Sequence, residues 1–238
     1  MRVINVSTYN IRTGLDLGLT FAFLSDLHEC DTDSVKQVLK SNPADAVLIG
    51  GDYIQNGQKY ERGIEFLSYC AANYPTFCSL GNHEMKYGEG VRELTEKTGA
   101  VLLDNKSVGF HGVRLGGLST GFGYGRQGNL KKTPEPDLDF LQSFAKEEGL
   151  KILLCHHPEY YPRYIKDTDI QLTLSGHAHG GQWRFFGRGV FAPGQGFFPK
   201  YTSGMYDGRL IVSRGLGDSH RFPPRINDGY EAVMINLI

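Results

Sequence analysis

Five short motifs combine carboxylate, amide and imidazole side chains of the kind that bind metal ions. In chain order they are Asp26-Leu27-His28, Gly50-Gly51-Asp52, Gly81-Asn82-His83-Glu84, His156-His157-Pro158 and Gly176-His177-Ala178-His179-Gly180-Gly181-Gln182. Mixed oxygen and nitrogen ligands without thiolate suit Mn²⁺, Fe or Zn²⁺ and are typical of open catalytic sites rather than closed structural ones. Taken singly, the first three motifs are better explained as turns.

The motifs share a position in the chain, since each follows a short apolar run typical of a buried strand. These runs are residues 19–24, 46–49, 75–80, 152–155 and 170–174. Six of the eight histidines lie at or just past such strand ends, and only His111 and His220 lie elsewhere. Because sites form beyond the carboxyl ends of strands in open α/β sheets, we expect these distant segments to converge.

Helices and hairpins complete the predicted framework. Apolar residues three and four apart predict helices at 33–40 and 62–69, with Asp31 or Asp33 as a candidate cap of the first, and 138–148 is a third candidate. The Gly-rich segment 101–118 predicts paired strands, and 210–213 and 232–238 are strand-like. Strand–helix units followed by hairpins predict a mixed α/β fold with two sheets. No repeat or linker composition divides residues 1–238, so we expect one domain.

In this order and at these strand ends, the motifs resemble those of the calcineurin-like metallophosphoesterase superfamily. The resemblance covers about residues 19–182. It implies a four-layer αββα sandwich with two mixed β-sheets and all motifs on loops at one edge. It also implies a binuclear centre of two divalent or transition metal ions, with Mn, Fe and Zn as the candidates.

The resemblance implies a role for each motif residue. It assigns Asp26, His28 and His179 to the first metal, Asp52 to a bridge between the metals, and Asn82, His156 and His177 to the second metal. It implies that His83 binds no metal and instead stabilises the transition state or protonates the leaving oxygen. The choice of His156 over His157 follows only from the usual position in the family, so both remain open.

The expected chemistry is hydrolysis of a phosphodiester or pyrophosphate bond. Two cations about 3.5–4 Å apart can share a hydroxide formed at neutral pH, which attacks phosphorus in line. A nearby histidine acting as an acid contributes roughly 10²–10⁴-fold. A non-catalytic scaffold of the same fold is the alternative, and the presence of every expected ligand and of His83 disfavours it.

Two features of the sequence indicate which branch of the superfamily it resembles. Asn56 stands where protein phosphatases carry a phosphate-gripping arginine, which disfavours a protein phosphatase. Gly180-Gly181-Gln182 and the later V-S-R-G-L-G at 212–217 resemble a bacterial branch with phosphodiesterases and lipid-linked pyrophosphate hydrolases. Gln182 and Arg214 are therefore candidate contacts to a phosphorylated small-molecule or lipid-linked substrate.

Two further segments have open interpretations. The aromatic residues between 185 and 206 either form a lipid- or base-contacting wall beside the metals or close the second sheet. The segment 121–132, with Arg126, Lys131 and Lys132, either borders the mouth of the site or is a solvated face.

Composition limits the remaining function classes. A net charge of −1 over 238 residues gives no nucleic-acid signature, because general nucleic-acid binders are basic. No run approaches the roughly 20 apolar residues of a membrane-spanning helix, and the first residues lack the apolar core of a signal peptide. The four cysteines form no C-x-x-C pair and are interpreted as reduced, packed thiols. We expect a cytoplasmic protein, with peripheral membrane contact as an alternative, and the sequence indicates no oligomeric state.

Overall fold

Two six-stranded sheets carry the fold of the computed structural model, which describes residues 2–15, 17–55, 60–120, 133–218 and 225–238. The strands of the first sheet are β1 (Ile4–Ile11), β2 (Leu19–Leu24), β3 (Ala46–Ile49), β4 (Thr76–Cys78), β5 (Val101–Leu102) and β16 (Tyr230–Leu237). Their order is β1-β16-β2-β3-β4-β5. β2 to β5 are parallel, whereas β16 is antiparallel to β2 and parallel to β1.

The second sheet is also mixed. Its strands are β6 (Lys106–Phe110), β7 (Val113–Leu118), β8 (Leu150–Cys155), β9 (Leu172–Ser175), β14 (Gly204–Tyr206) and β15 (Leu210–Val212), in the order β14-β15-β9-β8-β7-β6. The four central strands are parallel, and the edge strands β14 and β6 are antiparallel to their neighbours. Two small hairpins follow β9, namely β10 (Arg184–Phe185) with β11 (Arg188–Gly189) and β12 (Phe191–Ala192) with β13 (Gly196–Phe197).

The two sheets pack face to face through an apolar core. Successive residues of a strand point to opposite faces of its sheet. Phe21 and Phe23 of β2 therefore lie together in this inner core, where they join Leu115 and Ile152 of the second sheet. All four side chains are fully buried.

Helices cover the outer faces of both sheets. They are α1 (Asp33–Ser41), α2 (Glu61–Asn73), α3 (Asn82–Tyr87), α4 (Gly90–Glu96) and α5 (Leu138–Ala145). Leu39 of α1 and Phe66 of α2 pack in one cluster with Leu24, which points away from the inner core. Leu141 and Phe144 of α5 belong to the cluster on the outer face of the second sheet. The predicted four-layer αββα sandwich is therefore confirmed.

The predicted elements match the observed ones with small changes at their ends. The runs 19–24 and 46–49 are strands over the predicted ranges. The strand predicted at 75–80 is shorter in the structure, where only β4 (Thr76–Cys78) is extended. The predicted capping of α1 by the side chain of Asp31 or Asp33 is wrong, because Thr32 occupies the N-cap position and no side chain caps it. Asp31 accepts a hydrogen bond from the Asp33 amide at 3.3 Å instead, in a turn that precedes the helix.

Two predictions fall on residues outside the described ranges. They concern Asn56 and the segment 121–132. Within the described part of the chain, no helix combines the length and the apolar composition needed to cross a membrane.

Candidate metal centre

The five motifs meet at one edge of the sandwich, beyond the carboxyl ends of the parallel strands. Backbone hydrogen bonds join the loops directly: the Asp26 amide donates to the Gly51 carbonyl at 3.1 Å, and the His28 amide donates to the Asp52 carbonyl at 3.1 Å. The Gly176 amide likewise donates to the His156 carbonyl at 3.1 Å. The predicted convergence of these segments is thus observed.

Asp26, His28 and His179 form a first buried group that could hold a metal ion. The Nε2 atoms of His28 and His179 lie 3.2 Å apart, and they lie 3.7 and 3.5 Å from Asp26 Oδ1. An ion with tetrahedral bonds of about 2.0–2.1 Å holds its ligand atoms about 3.4 Å apart. The three donor atoms therefore have the spacing that one such ion requires.

Asp52, His156 and His177 form a second group of this kind. The Nε2 atom of His156 lies 3.1 Å from Asp52 Oδ2. Asn82, at the first position of α3, is buried, and its Oδ1 has no hydrogen-bond partner among the described residues. An amide oxygen left without a partner in the interior is costly unless a cation or water satisfies it, which fits the predicted ligand role.

Asp52 lies between the two groups. Its Oδ2 atom is 3.7 Å from the Nε2 of His28 in the first group and 3.1 Å from the Nε2 of His156 in the second. The imidazole of His83 borders the same carboxylate, with Nε2 at 3.9 Å, and its ring centre is 4.5 Å from that of His28. His83 therefore lies beside Asp52 and His28, and these three residues form a further buried group that could hold a metal ion, so the absence of a ligand role for His83 stays a prediction.

The two adjacent histidines face different surroundings. His156 Nδ1 lies 2.8 Å from the Gly50 carbonyl oxygen, so this nitrogen carries the proton and Nε2 faces Asp52. His157 instead places Nδ1 3.4 Å from Glu159, and its ring centre is 4.1 Å from that of His177. This arrangement favours His156 as the ligand, although His157, Glu159 and His177 also form a group that could hold a metal ion.

The backbone of this edge is strained. Five of the predicted ligands have left-handed φ angles, namely Asp26 (52°), His28 (46°), Asp52 (52°), His177 (65°) and His179 (45°). These angles are not those of an extended strand, so strand alternation does not bring Asp26 and His28 together. Left-handed turns after the strand ends direct these side chains, at a cost of roughly 1–2 kcal/mol for each residue.

Two motif glycines are needed for space. A β-carbon at Gly176 would lie 2.3 Å from Asp26 Oδ2, and one at Gly81 would lie 2.3 Å from Asp52 Oδ1. No side chain fits at these distances without displacing the carboxylate. The glycines thus let the loops approach the two acidic residues closely.

The charge states of the site suit cation binding. Burial alone would raise the pKa of Asp26, but the His179 and His28 imidazoles outweigh it and hold that pKa below its usual range. Burial lowers the pKa of His179 to about 3 and that of His83 to about 3. At His156 the neighbouring Asp52 outweighs burial and raises the pKa to about 10. Ionised carboxylates beside largely neutral imidazoles are the forms that bind metal, and His156 shows how strongly Asp52 attracts positive charge.

Glu84 was present in a motif but received no role from the sequence. Its Oε2 accepts hydrogen bonds from the amides of Asp52 and Gly81, both at 2.8 Å, and its Oε1 accepts one from Ile54 at 3.0 Å. Burial, followed by the charge of Asp52, raises the pKa of Glu84 to about 7. This single carboxylate ties the loop after β3 to the loop after β4, and its place directly after His83 was the available signal.

Arg225 has no motif that marks it in the sequence. Its Nη2 atom lies 3.0 Å from His179 Nδ1, and its guanidinium donates to the carbonyls of Gly217 (2.5 Å) and Arg214 (2.7 Å). The Gly217 amide in turn donates to the Asp26 carbonyl at 2.6 Å. Arg225 therefore links the loop after β15 directly to His179 and, through Gly217, to Asp26.

The two predicted substrate contacts flank the centre. Gln182 directly follows the helical turn His179–Gly181, and its backbone pairs with Ile226 at 3.0 Å. Arg214 donates its amide to Glu231 at 2.9 Å, and its guanidinium lies 3.5 Å from the same carboxylate. Their role toward a substrate stays a prediction.

Comparisons with known proteins agree with this geometry. The family model described as calcineurin-like phosphoesterase matches residues 19–181. The phosphodiesterase YaeI of Escherichia coli is 27% identical over 91% of this chain and 81% of its own length. The uncharacterised protein YpbG of Bacillus subtilis is 26% identical over 92% of this chain and 81% of its own length. An uncharacterised metallophosphoesterase of Helicobacter pylori is 28% identical, and this chain spans about half of its length.

Solved structures support the same fold. A Staphylococcus aureus structure, provisionally assigned as a 5′-nucleotidase, covers 92% of this chain and 54% of its own with a TM-score of 0.50 at 13% identity. That likeness concerns the fold alone. The family match covers more than half of the sequence and includes the five motifs up to Gly181. The chain therefore belongs to the calcineurin-like phosphoesterase family and is an enzyme of the metal-dependent phosphoric ester hydrolase class.

Proposed function

We propose that the chain hydrolyses a phosphodiester or pyrophosphate bond with two metal ions held side by side at this edge. The observation that carries the proposal is the position of Asp52, whose Oδ2 lies 3.1 Å from His156 and 3.7 Å from His28, one residue of each donor group. Asp26, His28 and His179 would hold one ion, Asn82, His156 and His177 would hold the other, and Asp52 would be shared. Mn, Fe or Zn ions would supply charge against the phosphate oxygens and acidify water.

His83 is proposed to act on the departing oxygen of the substrate. Its imidazole borders Asp52 at 3.9 Å, and its backbone amide donates to Asp52 Oδ1 at 2.9 Å, which holds the backbone of His83 against this carboxylate. A neutral imidazole in that position can donate an N–H hydrogen bond as the leaving oxygen gains charge, and an imidazole that has been protonated there can donate its proton. General acid catalysis of this kind contributes roughly 10²–10⁴-fold.

A phosphodiester is supported as the substrate class by the relative that is named a phosphodiesterase. Gln182 and Arg214 are proposed to contact the substrate from the loops beside the centre. The guanidinium of Arg214 has five N–H donors and, among the described residues, makes only a weak contact with Glu231 at 3.5 Å, so it retains donors for a phosphate. We propose a phosphorylated small molecule or a lipid-linked phosphate as the natural substrate.

The first experiment combines metal analysis with hydrolysis of bis-p-nitrophenyl phosphate. We expect about two ions per chain in the purified protein and diesterase activity that is lost in Asp52→Asn and reduced in His83→Ala. His111→Asn is the matched control, because His111 is exposed, lies outside the centre and has a φ of 44° that asparagine tolerates.

Three results would contradict the proposal. Protein that stays metal-free and inactive with added Mn²⁺ would indicate a scaffold. One ion per chain with full activity would exclude the shared role of Asp52. Activity on phosphopeptides without diesterase activity would indicate a protein phosphatase.

A further inference from the structure

Four phenylalanine rings project into solvent from the two hairpins that follow the metal centre. Phe185, Phe186, Phe197 and Phe198 have exposed fractions of 50%, 105%, 75% and 82%, and together they are called the phenylalanine surface below. Tyr201, by contrast, packs against the second sheet. Closure of the sheet, one of the two interpretations of these aromatics, therefore does not account for the four phenylalanines.

The backbone holds two of these rings outward in an unfavourable conformation. Phe186 has a φ of 51° and Phe198 has a φ of 53°, in the left-handed region where bulky residues are rare and Gly or Asn is preferred. The rings gain no burial that would offset this cost. Strained, exposed aromatic residues are typical of a surface that interacts with a partner.

The phenylalanine surface is anchored next to the metal centre. Arg184 donates to the Gly180 carbonyl at 2.6 Å and to the Gly187 carbonyl at 2.5 Å. The Val190 amide also donates to the Gly181 carbonyl at 3.2 Å. The hairpins are therefore fixed to the residues that directly follow His179, so a partner bound to them would lie beside the donor groups.

The segment that carries these rings is basic. Residues 182–206 contain Arg184, Arg188 and Lys200 and no aspartate or glutamate, although the whole chain has a net charge of −1. Arg188 and Lys200 are exposed. Exposed rings with basic side chains on the same segment match the requirements of an interface rich in anionic lipid, where rings enter the headgroup region and cations face lipid phosphates.

An open depression adjoins the phenylalanine surface. It has a volume of about 580 Å³, and its walls include Phe197, Phe198, Lys200 and Arg163. Arg163 is exposed and adds a further cation from a different element. Aromatic rings and exposed cations therefore line the depression as they do the hairpin tips, and the carboxylate among its lining residues, Glu159, is buried.

We propose that the phenylalanine surface docks the protein on an anionic phospholipid bilayer. In this arrangement the four rings enter the headgroup region, and Arg188 and Lys200 contact the lipid phosphates. The docking does not require the proposed hydrolysis, because none of these residues belongs to the donor groups. It would hold the edge that carries the metal centre close to the bilayer.

The test is co-sedimentation with phosphatidylcholine vesicles prepared with and without phosphatidylglycerol. We expect binding to the anionic vesicles that weakens with added salt and is much lower on phosphatidylcholine alone. The double variant Phe186→Asn/Phe198→Asn should lower the partition coefficient by about tenfold or more, and its folding is protected because asparagine suits both φ angles. Arg188→Gln/Lys200→Gln should lower binding to anionic vesicles by about tenfold or more.

Val3→Asn is the matched control, since Val3 is 83% exposed and lies outside the phenylalanine surface, and it should bind like the wild type. The phenylalanine variant should keep wild-type activity on bis-p-nitrophenyl phosphate, whereas Asp52→Asn should lose activity and still bind vesicles. Unchanged vesicle binding in the phenylalanine variant would overturn the proposal. Absence of vesicle binding by the wild type would also overturn it. This holds as well if light scattering shows that the wild type is a dimer and that the phenylalanine variant is not, because the surface would then be an interface between two copies of the chain.

Discussion

A β-carbon placed on Gly176 would lie 2.3 Å from the Oδ2 atom of Asp26. The neighbouring His177 amide donates to both oxygens of that carboxylate at 3.1 Å, so Asp26 cannot rotate away without losing these bonds. We therefore expect Gly176→Ala to lower the free energy of unfolding by about 1–3 kcal/mol, as overpacking does, and to weaken metal binding. Denaturant unfolding and metal titration would measure the two effects.

Gly90→Ala is the control for that substitution. Gly90 opens helix α4, its φ is not in the left-handed region, and an added β-carbon would contact only the Tyr87 ring at 3.4 Å. Alanine favours a helix, so this variant should be neutral or slightly stabilising. If the free energy of unfolding and metal binding decrease equally in both variants, the proximity of Gly176 to Asp26 is unimportant.

Glu84 gives a second prediction, because one carboxylate accepts hydrogen bonds from three backbone amides. In Glu84→Gln only one side-chain atom can accept, and the amide nitrogen must face a backbone N–H. Leaving buried donors unsatisfied costs about 1–3 kcal/mol for each group. We expect a lower melting temperature and a weaker metal affinity, measured by calorimetry and titration, and an unchanged variant would contradict the role of Glu84 as the link between the two loops.

Arg225→Lys tests whether the loop after β15 positions His179. Lysine keeps the charge but cannot reproduce the contacts of the guanidinium with Gly217, Arg214 and His179. Loss of such a supporting contact typically costs about 10–100-fold in metal affinity. Isothermal titration with Mn²⁺ or Zn²⁺ would measure it.

The matched control for Arg225 is Arg209→Lys. Arg209 also donates to several carbonyls, those of Lys166, Thr168 and Ile170, but none of these belongs to the metal centre. We expect this variant to lose stability and to keep its metal affinity. If both variants weaken metal binding equally, Arg225 acts through general stability alone.

The buried cysteines predict how stability depends on alkaline pH. Burial raises the pKa of Cys70 to about 12, from 9.0, so the folded chain keeps a proton that the unfolded chain releases above pH 9. The stabilising contribution is complete below pH 9 and is lost as the pH rises toward 12, by about 1.4 kcal/mol per pH unit. In denaturant unfolding between pH 9 and 11, the free energy of unfolding of Cys70→Ala should therefore fall less steeply with pH than that of the wild type. Identical slopes would show that ionisation of Cys70 does not cause the loss.

The same burial protects the thiols at neutral pH. All four cysteines are buried and unpaired, and burial also raises the pKa of Cys30 to about 11. Native protein should therefore react slowly with a thiol reagent, and unfolded protein should react fully.

The motif positions were predictable because they follow apolar runs of the right length for strands. Residues 19–24 and 46–49 become strands over their predicted ranges, and the parallel arrangement then brings their carboxyl ends to one edge. The local conformation was not predictable. Asp26 and His28 adopt left-handed φ angles that no local sequence pattern specifies, and the packed loops around them stabilise these angles.

Contacts between distant segments account for the remaining gaps. Arg225 follows His179 by 46 residues, and no spacing rule connects them. No motif includes Glu159, yet it is buried 3.4 Å from His157. Partners of this kind are decided by tertiary packing, which a single sequence does not encode as a local pattern.

The position of β16 affects how the chain is synthesised. β16 lies between β1 and β2, and about 200 residues separate it from β2 along the sequence. At 5–20 residues per second, ribosomes need roughly 10–40 s to make that stretch. Throughout this time one edge of β2, a strand of almost wholly apolar residues, has no partner, and open apolar edges promote aggregation. The nascent chain is thus exposed to misassembly for most of its synthesis, and its yield in cells should depend on chaperones that cover this edge.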